Sequence, residues 1–468
     1  MTLALFTAFQ ESHAEEVAAH VPMEVTLFFT AILVGMIVTL ALEEKIHAKK
    51  SVIAGTYALI CLFLGAVFDI LPFGPVIVGG HEIHMPIYIP AIDWGVIAII
   101  LGSSLFVDAT SKSGLFTWIA IKLTKSSRGD LLNLLISYGL MTVVFSAVLN
   151  NVTAMIIVGS LTAVSLNKLG QNDKLLGFLV IEGLLTNIGG LLTLISSVPN
   201  IIIGTAAGIN FVQFFTSASP YVVVATALTL VMGMMRFNIK RLPSQEERNT
   251  AKQLVDEFDE NDGVESQGFF WFGVAMLVLF ILTIATTSVL PFISDLGMGY
   301  VALLFAGIML IKFKSTADRF YQSLDWDLLG FFAGLFIVIN VMEHAQVLAM
   351  IGQGVEQILA LGPQMGSAAV LVAAAFFSSV TDNIPLAAML ANIFSGLDNV
   401  SMSMWWSVVF GANLGGNITP IGSASTLVAV TIIHKHNLHL SFAGFVKIAV
   451  PFALIQILIA ALYVVFFL

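Results

Sequence analysis

The chain runs to 468 residues, of which 58% are hydrophobic and only 10% charged, with a formal net charge of -10. Soluble domains carry about 25% charged residues, so this composition excludes an ordinary water-soluble enzyme or binding module and leaves an integral membrane protein. The acidic balance gives no reason to expect nucleic acid as a partner, and the single cysteine, Cys61, excludes an internal disulfide and a cysteine-built metal or redox centre.

In chain order, residues 1–9 are apolar but short and lack a basic flank, so they do not read as a cleaved signal peptide. The tail that follows carries Glu11, Glu15, Glu16 and Glu24 and no basic residue. Residues 25–42 and 52–69 approach the ~20 apolar residues that cross ~30 Å of hydrocarbon as helix, and Lys45, Lys49 and Lys50 lie between them. Cytoplasmic loops are enriched in Lys and Arg, so the tail falls outside and this turn inside. The loop 71–91 has no Lys or Arg and falls outside; Lys112, Lys122, Lys125 and Arg128 return the chain inside. Residues 113–125, short, aromatic and basic, predict a helix lying along the inner membrane surface.

The apolar stretch 131–166 is bracketed by Arg128 on one side and by Lys168 and Lys174 on the other, so both its ends are cytoplasmic. Its centre holds Asn150-Asn151, which lipid does not tolerate unpaired. This predicts a re-entrant hairpin with asparagines at the tip. A span from Leu175 then exits, and the next returns to Arg236, Lys240 and Arg241. Residues 237–268 are polar and of mixed charge, and predict a mobile, partly helical cytoplasmic linker. In the second half Lys312, Lys314 and Arg319 are inside, while 343–404 contains no Lys or Arg and holds a second hairpin, 368–393, that opens outside. Lys435 and Lys447 close the pattern inside, so that all 19 basic residues share one side. Trp118 and Trp405 fit interfacial anchoring.

Two halves share sequence in register. Asp93-Trp94 recurs as Asp325-Trp326, and Phe145-Ser146 through Asn150-Asn151 recurs as Phe377-Ser378 through Asp382-Asn383, both at a shift of 232 (325 − 93; 382 − 150). Asn187, Gly189, Gly190, Thr193, Ile195 and Ser197 recur as Asn413, Gly415, Gly416, Thr419, Ile421 and Ser423 at a shift of 226 (413 − 187). With the first hairpin open inward and the second outward, these are inverted repeats, which build a site at their interface. The expected fold is therefore an all-α polytopic protein of the cell (inner) membrane, with about 10 transmembrane helices plus two re-entrant hairpins and broken helices, and both termini outside. The expected organisation is a tail with two scaffold spans (1–91), the first repeat (92–236), the linker (237–268), two further scaffold spans (269–322) and the second repeat (323–468).

Each half carries a polar hairpin tip followed by a helix interrupted at Asn-x-Gly-Gly. Such breaks free carbonyls and amides that ions and polar solutes can satisfy; carbonyl and amide oxygens with one carboxylate suit a small hard cation. Asp382, a carboxylate at a tip between apolar arms, is the first candidate for binding Na+ or a proton, or else it caps the helix beginning at Ile384-Pro385. Capping explains Asn150 almost as well as ligation does. The glycine pairs Gly189-Gly190 and Gly415-Gly416 serve close packing or ligand approach. Glu182, five residues before Asn187, is either a second titrating group or a solvated residue near the inner surface.

At these motifs the chain resembles the ion transporter superfamily, in the branch of NhaD-type sodium/proton antiporters, arsenite permeases and the P protein, with a citrate-transporter-like domain. The stretches are FSAVLNNVTAMIIV (145–158), EGLLTNIGGLLTLISSVPN (182–200), SSVTDNIPLAAML (378–390) and FGANLGGNITPIGSAS (410–425). The resemblance implies a homodimer whose mobile domains carry hairpins and broken helices across the bilayer. By match it implies a binding site at Asn150, Asn151, Thr153, Asn187, Thr193, Asp382, Asn383, Asn413, Asn417 and Thr419. Many relatives have aspartate where Asn150 stands, which removes a charge from the first half-site. With no nucleophile–base pair or metal cluster, the expectation is not an enzyme but an alternating-access Na+/H+ antiporter. The alternative is a Na+- or H+-coupled transporter of an anion or oxyanion such as citrate or arsenite. Na+ and/or H+ serve as coupling ions and no other cofactor is expected.

Overall fold

The computed structural model describes residues 21–78, 81–314, 317–381, 383–397 and 400–468. Asp382 and the tail residues Glu11, Glu15 and Glu16 lie outside the described residues. The first elements are α1 (Met23–Ala41), α2 (Glu43–Ile46) and α3 (Lys50–Val67), then a small antiparallel pair, β1 (Val76–Val78) and β2 (His81–Ile83), with Val76 opposite Ile83. There follow α4 (Trp94–Ser111), α5 (Leu115–Ser126), α6 (Leu131–Val148), α7 (Asn151–Lys168), α8 (Leu175–Gly189), α9 (Val198–Ala206) and α10 (Phe211–Phe237). The middle of the chain forms α11 (Gln245–Asp256), α12 (Gln267–Thr286), α13 (Ile293–Lys312) and α14 (Ala317–Ser323). The last elements are α15 (Trp326–His344), α16 (Val347–Leu359), α17 (Gly362–Val380), α18 (Asn383–Ser395), α19 (Met402–Gly415), α20 (Ala424–Lys435) and α21 (Phe442–Phe467).

Long apolar runs become helices because hydrocarbon leaves the backbone no partner but itself, and polar residues at the run ends answer the first free N–H groups. Asp130, Asn150, Asn210, Ser244, Ser266, Asp325 and Ser441 each accept such a bond at the start of a helix. Among the described residues ten helices are long and apolar enough to cross a membrane: α1, α3, α4, α6, α10, α12, α13, α15, α17 and α21. The first arms of both hairpins, α6 and α17, are among them; at 18 and 19 residues they are as long as full spans.

The chain divides into two compact units. One comprises Met1–Ile97, Asp325–Ala360 and Ala388–Asn399. Its centre is α3 against α15, where a side chain at Gly334 would fall 2.8 Å from the Ala54 carbonyl carbon, so the two backbones touch. Asp327 fixes this pair by accepting from Ser51 N (3.1 Å) and Ser51 Oγ (2.6 Å) at the start of α3.

The other unit comprises Ala98–Leu324, Leu361–Ala387 and Val400–Leu468. Its core is α8 and α19: all of α8 except Leu176 is buried, as is the whole of 404–415. A helix apolar on every face is an interior helix, which accounts for Trp405 being buried in α19 rather than anchored at an interface. Within the same unit, Phe106, Phe280 and Phe305 join α4, α12 and α13, with ring centroids 4.4–5.9 Å apart.

The linker is docked within this unit, not loose. Val255 and Ala251 of α11 are buried, and the Ala251 carbonyl packs on Gly129, whose left-handed φ of +69° and missing side chain admit it. Asp130 accepts from Leu242 N at 3.1 Å. Glu257 pairs with Lys168 at 3.0 Å, and Glu260 binds both Lys122 (2.8 Å) and Lys125. The linker's acidic residues thus meet the basic ends of α5 and α7, a long-range pairing that local composition does not reveal.

Two outcomes follow from this packing. Gly334→Val should force α3 and α15 apart and cost about 1–3 kcal/mol, seen as earlier thermal unfolding in detergent. Gly307→Ala, with nothing within 4 Å of the new methyl, should not. The hydrogen bonds from Lys122 and Lys125 hold the Glu260 carboxyl down at about 2. Its contribution to linker docking is therefore complete above the ordinary Glu range of about 4.3 and disappears as pH falls through about 2. Glu260→Gln should speed protease cleavage of residues 257–268 at pH 7, whereas acidification of the parent to pH 5 should not.

Candidate functional site

The two broken helices end alike. α8 stops at Gly189 and α19 at Gly415, each followed by a glycine in right-handed helical conformation, after which α9 and α20 start from extended Ser197 and Ser423. The glycines seat the hairpin arms. A side chain at Gly189 would lie 2.6 Å from Val143 O of α6, and one at Gly415 would lie 2.3 Å from Ala375 O of α17. Residues 143 and 375 differ by the same 232 as the sequence repeat.

Hydrogen bonds repeat the symmetry. Ser146 donates to Thr186 O (2.6 Å) as Ser378 donates to Ala412 O (2.5 Å). Thr193 donates to Ala147 O as Thr419 donates to Ser379 O, both at 2.6 Å. Each hairpin is thereby pinned to its own broken helix. The halves are joined by an exchange: Ser423 donates to Asn187 Oδ1 and Ser197 donates to Asn413 Oδ1, both at 2.9 Å. Contacts of residue i with j and of j with i are what a two-fold relation produces.

Around Asn187 the exchange becomes a network. Its Nδ2 donates to Asn417 Oδ1 (2.8 Å). Asn417 Nδ2 donates to Leu184 O (3.1 Å) and Gln456 Oε1 (2.8 Å), and Gln456 Nε2 donates to Thr229 Oγ1 (2.9 Å). Because Leu184 O can only accept, the Asn417 nitrogen must face it, which turns the Asn417 oxygen to Asn187 and the Asn187 oxygen to Ser423, Ser425 and Asn151.

Beside Asn187, Ser146 Oγ lies 2.5 Å from Asn151 Oδ1 and 2.6 Å from Thr186 O. One hydroxyl hydrogen cannot serve two acceptors at once. The Ser146 hydrogen is thus shared between Asn151 Oδ1 and Thr186 O, the latter also accepting from Gly190 N at 2.8 Å, and the lone pairs left over on the three converging oxygens suit a small hard cation. Among the described residues no Lys, Arg, Asp or Glu is hydrogen-bonded into this cluster.

Of the residues singled out from sequence, the fold brings together Asn151, Asn187 and Asn417. It places Asn413 with Asn200 (2.9 Å) and Ser197, and uses Thr193 and Thr419 as hairpin ties. Gly190 faces the Asn151 amide and Gly416 faces Ser423. Asn150 caps α7 by accepting from Thr153 N at 2.8 Å, and Asn150 is exposed. Asn383, the counterpart of Asn151, is half-buried. Glu182 is fully buried, which removes the solvated alternative. Ser146, Thr186, Ser425 and Gln456 were not singled out as candidates. Ser146 lay inside a repeated block, and Gln456 is a lone amide in an otherwise apolar span, a signal in its own right.

A helical chain with ten candidate spans, paired hairpins and helices broken face to face defines a multi-pass membrane transporter. Residues 42–409 match the model of the citrate transporter family, and the chain belongs to that family. An uncharacterized transporter of Mycobacterium bovis is 29% identical over 381 residues, 80% of this chain and 86% of that protein. The P protein of Homo sapiens is 23% identical over 506 residues, 90% of this chain and 60% of that protein, in keeping with the superfamily resemblance. The solved structure of the Alcanivorax borkumensis YdaH transporter aligns with a TM-score of 0.58 at 13% identity, over 89% of this chain and 98% of that one. Neisseria gonorrhoeae MtrF, from a class of antimetabolite efflux pumps, aligns with a TM-score of 0.53 at 15% identity, over 90% and 95%. At these identities the two structures speak for the fold alone.

Gln456→Leu would leave the Asn417 amide without its second acceptor in a buried setting, at a cost of about 1–3 kcal/mol. The expected result is a lower unfolding temperature in detergent, with Thr229→Val adding little to it because both changes break one chain of bonds.

Proposed function

We propose that the chain is an ion-coupled secondary transporter working by alternating access in a cell membrane, as a homodimer, and that its chemistry supports Na+/H+ exchange best. The observation that carries this is the convergence of Ser146 Oγ, Asn151 Oδ1 and Thr186 O, with one hydroxyl hydrogen shared between the last two. On a cation's arrival Ser146 turns its hydrogen away and all three oxygens face the ion, with Asn187 Oδ1 one contact further on. Neutral oxygens bind Na+ without fixing its charge, which suits a site that must also release it. The second half of the sequence carries Asp382 at the position equivalent to Asn150, and in this reading its carboxyl takes either an ion or a proton.

Membership of the citrate transporter family favours a second reading, in which the cation drives a carboxylate anion. Both are tested with purified protein in proteoliposomes carrying an entrapped pH dye, adding Na+, Li+, citrate, succinate and arsenite in turn. The expected result is a pH response to Na+ or Li+ that Asp382→Asn abolishes, and whose apparent affinity Ser146→Ala lowers about ten-fold, the equivalent of ~1.4 kcal/mol. A response to citrate or succinate alone establishes the second reading. Unchanged transport in both variants places the site elsewhere.

A further inference from the structure

Glu182 is a buried acidic group that the cation cluster does not use. It sits on α8 with no exposed surface. Thr162 of α7 donates to its Oε1 at 2.6 Å, while Oε2 has neither a hydrogen-bond partner nor surface open to solvent. A carboxyl retained for structure alone has both oxygens answered, because an orphaned buried acceptor is costly.

Its position gives the orphan a use. One helical turn along the same face is Thr186, whose carbonyl belongs to the Ser146 triad and whose hydroxyl reaches Ser425 at 2.9 Å. About 6 Å of helix rise therefore separates the backbone positions of Glu182 and Thr186. Of the charged and titratable groups on the surrounding elements, Tyr138 is close enough to feel the Glu182 charge. Tyr138 of α6 binds Thr124 and Ser165, and Tyr221 of α10 binds Gln456 O. Lys168 at the end of α7 pairs with Glu257, and Lys174 before α8 pairs with Asp173. Arg236 ends α10 over the Phe237 ring, and His434, beside Lys435 in the last turn of α20, lies 3.0 Å from Leu440 O.

We propose that Glu182 carries a proton of the transport cycle, as a second titrating site one helix turn from the cation cluster and coupled to it by charge, not by shared ligands. This rests on the reading of the chain as an ion-coupled transporter. A cation arriving at the triad favours the ionised carboxyl, which releases H+; a proton arriving at Glu182 weakens the hold on the cation. Linkage makes the two effects equal, and a unit charge at this range within protein changes affinity on the order of ten-fold or more.

The test compares the full-length parent with Glu182→Gln in proteoliposomes, reading protons moved per Na+ with the entrapped dye and Na+/Na+ exchange with radioactive sodium. Citrate replaces Na+ in both readings if citrate is the solute that elicits transport. Glu182→Gln is expected to keep the exchange, to move fewer protons per solute, and to flatten a dependence of solute affinity on pH that spans about ten-fold in the parent. Thr162→Val, close in shape, should displace the midpoint of the pH profile without altering exchange. That readout does not respond to a packing role, and it serves if Glu182→Gln does not fold. An unchanged proton ratio in Glu182→Gln, or an unmoved profile in Thr162→Val, overturns the proposal and leaves the transporter reading standing. Loss of exchange in a folded Glu182→Gln overturns it in favour of a ligand or packing role. A parent that moves none of these solutes overturns the transporter reading and this proposal with it.

Discussion

Two helices that stop in an apolar interior must have their loose ends answered by protein, since hydrocarbon offers no partner. The crossed pairs Asn187–Ser423 and Asn413–Ser197 do this by having each half answer the other. The remaining geometry of the unit depends on that exchange. It brings the starts of α9 and α20 beside the ends of the opposite half's broken helix. It also turns the Asn187 oxygen toward Asn151, and so toward the hairpin tip.

Small residues make the exchange possible. Gly189 and Gly415 let α6 and α17 lie backbone to backbone on α8 and α19, and the Ser146, Thr193, Ser378 and Thr419 hydroxyls lock each hairpin to its own helix. The polar chain then runs outward through Asn417 and Gln456 to Thr229. Leu184 O, which only accepts, fixes the Asn417 amide and through it those of Asn187 on one side and Gln456 on the other, so the direction of the bond at Thr229 is set at the far end of the chain.

Much of this was legible in the sequence, for physical reasons. Span lengths follow from apolar runs, and the breaks at Asn-x-Gly-Gly follow from glycines next to polar residues inside such runs. The constant offsets 232 and 226 anticipate which residues occupy equivalent places in the hydrogen-bond pattern. Single residues were harder. Asn150 and Asn151 are adjacent and alike, yet one caps a helix at the surface of the unit and the other enters the cluster, a distinction made by one step of helical rotation. Gln456 finds its partners on two segments distant in sequence, the loop at Asn417 and the helix α10, and Trp405 is buried because α19 as a whole is interior. The linker's docking arises from Glu260 meeting lysines 135 and 138 positions away, which no local pattern encodes.

The two half-sites have not stayed copies of each other. In the first, the carbonyls of Gly190 and Thr193 are each met by both Ser196 and Asn200, at 2.6–3.0 Å. In the second, Gly422 and Thr426 occupy those places, and Thr426 approaches Gly416 O only at 3.5 Å. Two separate, identical half-chains could not diverge in this way, because every substitution would be made in both. Fusion of the copies into one polypeptide lets natural selection edit a single side, so the two half-sites are free to differ in how firmly they hold their backbone carbonyls, and that asymmetry can be written into a handful of side chains.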